Sequence, residues 1–113
     1  MIEKSLFVEF FGDYPFIRVL DFLLENEIFD YSKKEICENT EVSWNTLETF
    51  WEKMEEKGII VKTRKIGKSY LYRINLENPV IQKLMELDKK LMANSIEQIQ
   101  EEKIPISVRE TRS

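Results

Sequence analysis

Two helix starts separated by a tight turn constrain this chain more than any other feature. In "YSKKEICENTEVSWNTL" Ser32 precedes Glu35 by three residues, a capping box in which each side chain satisfies the other's free backbone N–H. The helix opened there reaches to about Asn39 and points Ile36 inward. The turn "TEVS", about three residues long, follows with apolar Val42 inside it. Ser43 then caps a longer helix, "WNTLETFWEKMEEK", which Gly58 ends at the expected C-terminal position. Leu47, Phe50, Trp51 and Met54 recur at helical spacing and form its expected buried face. Two helices joined by so short a turn read as helix-turn-helix, with the second in the place of a recognition helix.

The flanking segments extend this pattern. Residues 1–12 are an aromatic-rich leader whose apolar run fits a short helix or a strand equally well. Asp13 is the expected cap of a helix with Pro15 in its first turn, and Phe16, Val19, Leu20, Leu23 and Leu24 fall on one face up to about Asn26. After Gly58, "GIIVKTRK" and "SYLYRIN" are β-rich runs separated by "IGKS", where Gly67 permits the positive φ of a tight hairpin. Asn78 then caps a last helix with Pro79 at its first position, and Pro105 stops it. The expectation is one domain: leader 1–12, a helical unit with a hairpin over 13–77, a long C-terminal helix over 78–104, and a loose tail over 105–113. The fold class is mainly α with a small β-hairpin, a winged helix-turn-helix with an extra C-terminal helix.

Composition removes several functions. At 113 residues the chain has length for one core. With a single cysteine and no histidine, neither an internal disulfide nor a Cys/His zinc site is expected. The commonest general base near neutral pH is missing, and no glycine-rich phosphate loop is present, so no enzyme activity and no cofactor are expected. The start, "MIEKSLFVEF", does not read as a signal peptide, and no apolar run approaches the ~20 residues that span a bilayer. A cytoplasmic location and no membrane partner follow as expectations. Cys37 reads as a small packing residue.

Charge is distributed unevenly. The chain carries a net charge of −4, yet six of the seventeen residues from Lys57 to Arg73 are basic and none is acidic. On a hairpin, Lys62, Arg64, Lys65, Lys68 and Arg73 are placed to neutralise nucleic-acid phosphates, with Ser69 and Tyr70 beside them. The bland alternative is a solvated hairpin whose charges block edge-to-edge pairing. On the second helix of the pair, Ser43, Trp44, Asn45, Thr46, Thr49 and Lys53 are the candidate contacts, Asn45 toward adenine and the threonines toward a thymine methyl or phosphate. Trp51 belongs with the core, and packing over the turn is the safer reading of Trp44. Tyr72 and Ile74 are expected to close the core under the hairpin.

At these residues the chain resembles archaeal winged helix-turn-helix transcriptional regulators, within the broad superfamily that includes MarR-like and ArsR-like repressors. The resemblance covers roughly Tyr14 to Leu91. It rests on "FIRVLDFLLEN", "DYSKKEICENTEVSWNTL" and "EKGIIVKTRKIGKSYLYRINLENPV", most specifically on "VSWNTL" and on the hairpin followed by Asn78-Pro79. It implies sequence-specific binding to double-stranded DNA, commonly as a homodimer joined through terminal helices. The outer face of the recognition helix departs from the family's basic pattern, because it presents Glu48 and Glu52 with only Lys53 positive.

The last helix carries an apolar stripe of Ile81, Leu84, Leu87, Leu91, Met92, Ile96 and Ile99, too long for a three-helix core to absorb. A homodimer seam is the expectation, and packing back on its own domain is the alternative. The competing function is a winged-helix module that docks on protein in transcription or replication machinery. Salt-sensitive affinity for duplex DNA separates the two.

Overall fold

Three serines begin three helices, each by accepting a hydrogen bond from a backbone N–H three residues on. In the computed structural model, which describes residues 4–102 and side chains up to 96, Ser5 caps α1 (Leu6–Phe11), Ser32 caps α3 (Lys33–Thr40) and Ser43 caps α4 (Trp44–Glu56). The capping box at Ser32 is closed on both sides, with Ser32 N–H donating to Glu35 Oε1 at 2.9 Å and Glu35 N–H to Ser32 Oγ at 3.1 Å. A cap of this kind stabilises a helix by about 1 kcal/mol. Between α3 and α4 the chain turns through Glu41 in the left-handed region, φ 56°, and buries Val42.

The expected cap at Asp13 is not made. Helix α2 (Pro15–Glu25) starts after Tyr14 without a side-chain cap, and Pro15 supplies its first residue. Asp13 is held instead by Arg18, Nε to Oδ1 3.3 Å, and by Lys4 at 3.9 Å. The leader resolves as helix rather than strand. Phe7 and Val8 are buried, and α1 packs on α2 and on α5 (Pro79–Glu102), so the leader contributes to the main core. At the start of α5 the Asn78 carboxamide oxygen accepts from Val80 N–H at 2.8 Å, as an N-cap should.

The hairpin consists of β1 (Ile60–Ile66) and β2 (Ser69–Ile74), antiparallel and joined through Gly67 and Lys68. Gly67 has φ 60° while Lys68 does not enter positive φ, the pattern of a type II′ turn. Pairing runs Ile60 to Ile74 down to Lys62 with Tyr72, then slips by one residue so that Arg64 faces Leu71, which leaves Thr63 as a β-bulge. Tyr31, between α2 and α3, makes an isolated antiparallel bridge to Tyr72, both N–H···O bonds at 2.8 Å. The hairpin thereby gains a one-residue third strand and is tied to the helices.

The core lies where α2, α3, α4 and the root of the hairpin meet: Val19, Leu23, Ile36, Leu47, Trp51, Met54, Ile60 and Ile74 are all essentially sealed from solvent. Trp51 meets Tyr72 edge-on at 4.9 Å. The molecule is mainly helical with one small hairpin. No helix among the described residues is long and apolar enough to cross a membrane.

Candidate nucleic-acid interface

The outer face of α4 holds every residue singled out on it, but the residues do different work. Ser43 and Thr46 are turned inward on the helix itself. Ser43 Oγ accepts from Thr46 N–H at 3.2 Å and donates to Thr46 Oγ1 at 2.9 Å, so both hydroxyls serve the cap. Thr49 donates its hydroxyl to the Thr46 carbonyl oxygen. Asn45 and Lys53 are exposed, and no hydrogen bond or ion pair among the described residues engages either side chain. Trp44 is half exposed.

One residue of α3 reorganises this face. Lys33 Nζ sits 3.0 Å from Glu48 Oε1, and the same ammonium lies 5.5 Å from the ring centre of Trp44 and 5.2 Å from that of Trp51. Glu48 is therefore paired through Oε1, which offsets one of the two negative charges that the sequence places on this face. The Trp44 ring lies against the Lys33 ammonium. Lys33 was legible as the first residue of a helix, but nothing local indicates that it reaches across to α4.

The hairpin's basic residues divide between two faces. Lys62, Lys65 and Tyr70 share one face with Tyr72, Ile74 and Ile60, the face whose inner part packs on Trp51 of α4. Along it Lys62 Nζ lies 3.9 Å and Lys65 Nζ 5.2 Å from the Tyr70 ring centre. Two ammonium groups against one exposed aromatic ring are held in place by a cation–π attraction of about 0.5–1 kcal/mol each at such a site. Arg64, Ser69 and Arg73 lie on the opposite face, with Lys68 at the tip. The basic residues expected on phosphate therefore do not share one face, because the bulge at Thr63 puts Lys65 with Lys62 and turns Arg64 away from them.

Arg64 is also not free. Its Nε and Nη2 donate to Asp30 Oδ2 and Oδ1 at 3.0 and 3.2 Å, and the Thr63 hydroxyl donates to Asp30 Oδ2. The guanidinium and then the Thr63 hydroxyl hold the Asp30 carboxyl below the usual carboxylate range, and Asp30 in turn raises Arg64. A hairpin that is acid-free in sequence thus has a carboxylate brought to it from 34 residues away.

Cys37 offers no chemistry here. Burial pushes its thiol up, Glu48 and Glu38 push the same way, and Lys33 opposes them, so a reactive thiolate is disfavoured near neutral pH. Among the described residues no group of three or more Cys, Asp or Glu side chains is placed to hold a metal ion.

The stripe of α5 also separates. Ile81 is buried in the core and Leu84 packs against it, so neither is available to a second chain as expected. Leu87 and Leu91 are half-buried, while Met92 and Ile96 stand exposed. The side chain of Ile99 and the tail over 105–113 lie outside the described residues. No family model matches this chain, and no curated protein or solved structure matches it either.

Proposed function

We propose that this chain is a winged helix-turn-helix protein that binds duplex DNA as a homodimer and regulates transcription. Helices α3 and α4 form the helix-turn-helix, and the hairpin, with Tyr31 as its third strand, forms the wing. The observation that carries the reading is the Lys62–Tyr70–Lys65 cluster, which lies on the sheet face that continues from α4. A recognition helix in the major groove would bring that face against the adjoining phosphates. Asn45 is the side chain on α4 with a free amide to pair with adenine N6 and N7. The α4 helices of a dimer would enter successive major grooves about 34 Å apart. Met92 and Ile96 supply exposed apolar contacts for the second copy.

The test is duplex binding measured against salt concentration. Each phosphate neutralised contributes about 0.9 to the slope of log affinity against log salt, so Lys62→Ala with Lys65→Ala should flatten it by about 2 and weaken all sequences alike. Asn45→Ala should cost about 1–3 kcal/mol on the preferred site and little elsewhere. An unchanged slope in the double lysine variant would remove the wing from the interface.

A second reading has its own observation. Trp44 is half exposed, and Glu52, Glu55 and Glu56 line the outer side of α4, a surface suited to a protein partner. A module of that kind would show no salt-dependent affinity for duplex DNA.

A further inference from the structure

We infer that Asp30 is an intramolecular stand-in for phosphate that holds Arg64 out of the interface; this rests on the duplex-binding reading. The Arg64 fork meets the two Asp30 oxygens as it would meet two phosphate oxygens, by paired N–H···O bonds of 3.0 and 3.2 Å. The pair is asymmetric. The Asp30 side chain is 18% exposed and Arg64 62%, so the carboxylate is seated while the guanidinium remains reachable from solvent. The pair opens by a turn of the Arg64 side chain, because Asp30 is fixed to the hairpin and moves with it. Its neighbour Tyr31 is locked to Tyr72 by two backbone bonds of 2.8 Å, while Thr63, which also donates to Asp30, occupies the bulge where β1 departs from regular pairing.

The wing therefore holds its cations in two states. Lys62 and Lys65 rest on Tyr70 without a carboxylate within ion-pair distance among the described residues, whereas Arg64 is neutralised at 3.0 Å. Transfer of Arg64 from Asp30 to a phosphate exchanges one anion for another, so it adds little to loose binding. Asp30 in this scheme lowers affinity for all duplexes and leaves discrimination to α4.

A double-mutant cycle tests this, with fluorescence anisotropy of a labelled duplex read across salt concentrations. Asp30→Asn should tighten binding several-fold at low salt and steepen the log–log slope by about 0.9, one additional phosphate contact. Arg64→Gln in the natural background should change little, and in the Asp30→Asn background it should abolish the gain. If Asp30→Asn tightens binding equally with Gln at position 64, simple loss of a negative charge explains it and the clamp is overturned. A fall in affinity on Asp30→Asn would overturn it too, by showing that the carboxylate aims Arg64 at DNA. Were the wild-type chain to show no salt-dependent retention, the duplex reading itself would fall, a result distinct from a cycle that is merely additive.

Discussion

Helices α4 and α5 carry apolar stripes of similar character and use them differently. On α4 most of the stripe is consumed: Leu47, Trp51 and Met54 are 0, 2 and 1% exposed, Phe50 is half-buried against Phe16, and what remains outside is polar apart from Trp44. On α5 it begins in the same core with Ile81 at 1%, passes through half-buried Leu84, Leu87 and Leu91, and emerges at Met92 and Ile96, 46 and 56% exposed. The helix that faces the proposed DNA is thus rigidly seated by its own domain. The other leaves apolar side chains, Met92 and Ile96, in solvent. The proposed reading head and the proposed assembly surface thus fall on two elements, and substitutions on one should leave the other intact.

The largest test of that division is Trp51→Ala. Trp51 packs edge-on to Tyr72 at the junction of α4 and the hairpin, so its loss opens a cavity shared by both. Truncating a buried aromatic of this size costs about 3–5 kcal/mol, a large part of the stability of a small domain. Urea unfolding should show it, and duplex binding should fail together with the fold. At the root of α5, Ile81→Val should cost about 1 kcal/mol, as for one methyl group removed from a packed site. A loss below the error of the measurement would mean that α5 is not anchored as described.

Acidity should distinguish the two helices next. On α2 and α5 the carboxyls of Asp21, Glu25 and Asp88 are pushed up, first by burial, and then for Asp21 by the charge of Asp88 and for Glu25 by those of Asp21 and Asp88. The Ser5 hydroxyl on α1 works against this at Asp21, whose Oδ1 is buried without a partner. Between the ordinary aspartate value of 3.8 and the raised one, the folded chain binds more protons than the unfolded chain. Acidification through that window therefore adds stability, and at neutral pH the penalty is fully present. Asp21→Asn should raise the melting temperature at pH 7, with the difference from wild type closing toward pH 4. Asp30 has the opposite sign, since its carboxyl is held low by Arg64, so Asp30→Asn should lose stability at neutral pH. Wild type and Asp21→Asn melting in parallel at all pH values would sink the assignment.

How far the sequence announces each region follows from the range of the interactions. The caps at Ser32, Ser43 and Asn78 and the 3.6-residue periodicity of α4 are local, and they reappear where the pattern places them. The leader could not be assigned, because "LFVEFF" suits helix and strand alike. Burial of Phe7 and the Ser5 cap decide it. Asp13 failed as a cap because Arg18 and Lys4 compete for its carboxylate. In the candidate interface, residue types were legible and their partners were not. The Asp30–Arg64 pair spans 34 residues and the Lys33–Glu48 pair 15, and neither separation leaves a periodic trace. The bulge at Thr63 takes Arg64 off the face of Lys62 and brings Lys65 onto it, an outcome that alternation alone cannot give.

The smallest expected change in protomer stability falls on the tip of α5, and there the comparison is most exposed to failure. Met92→Ser with Ile96→Ser removes side chains that make little contact within their own chain, so unfolding should shift by no more than about 0.5 kcal/mol. Self-association should respond strongly, because those two residues are the exposed apolar part of the stripe. Sedimentation equilibrium at micromolar concentration should find dimers for the wild type and a 13.6 kDa species for the double variant. A dimer that survives would move the seam to Phe10 and Phe11 of α1, 62 and 36% exposed, or to the half-buried Leu87 and Leu91. If the variant is monomeric and still binds a single half-site through α4, the reading head works without the assembly surface, and two-fold binding is the only property lost.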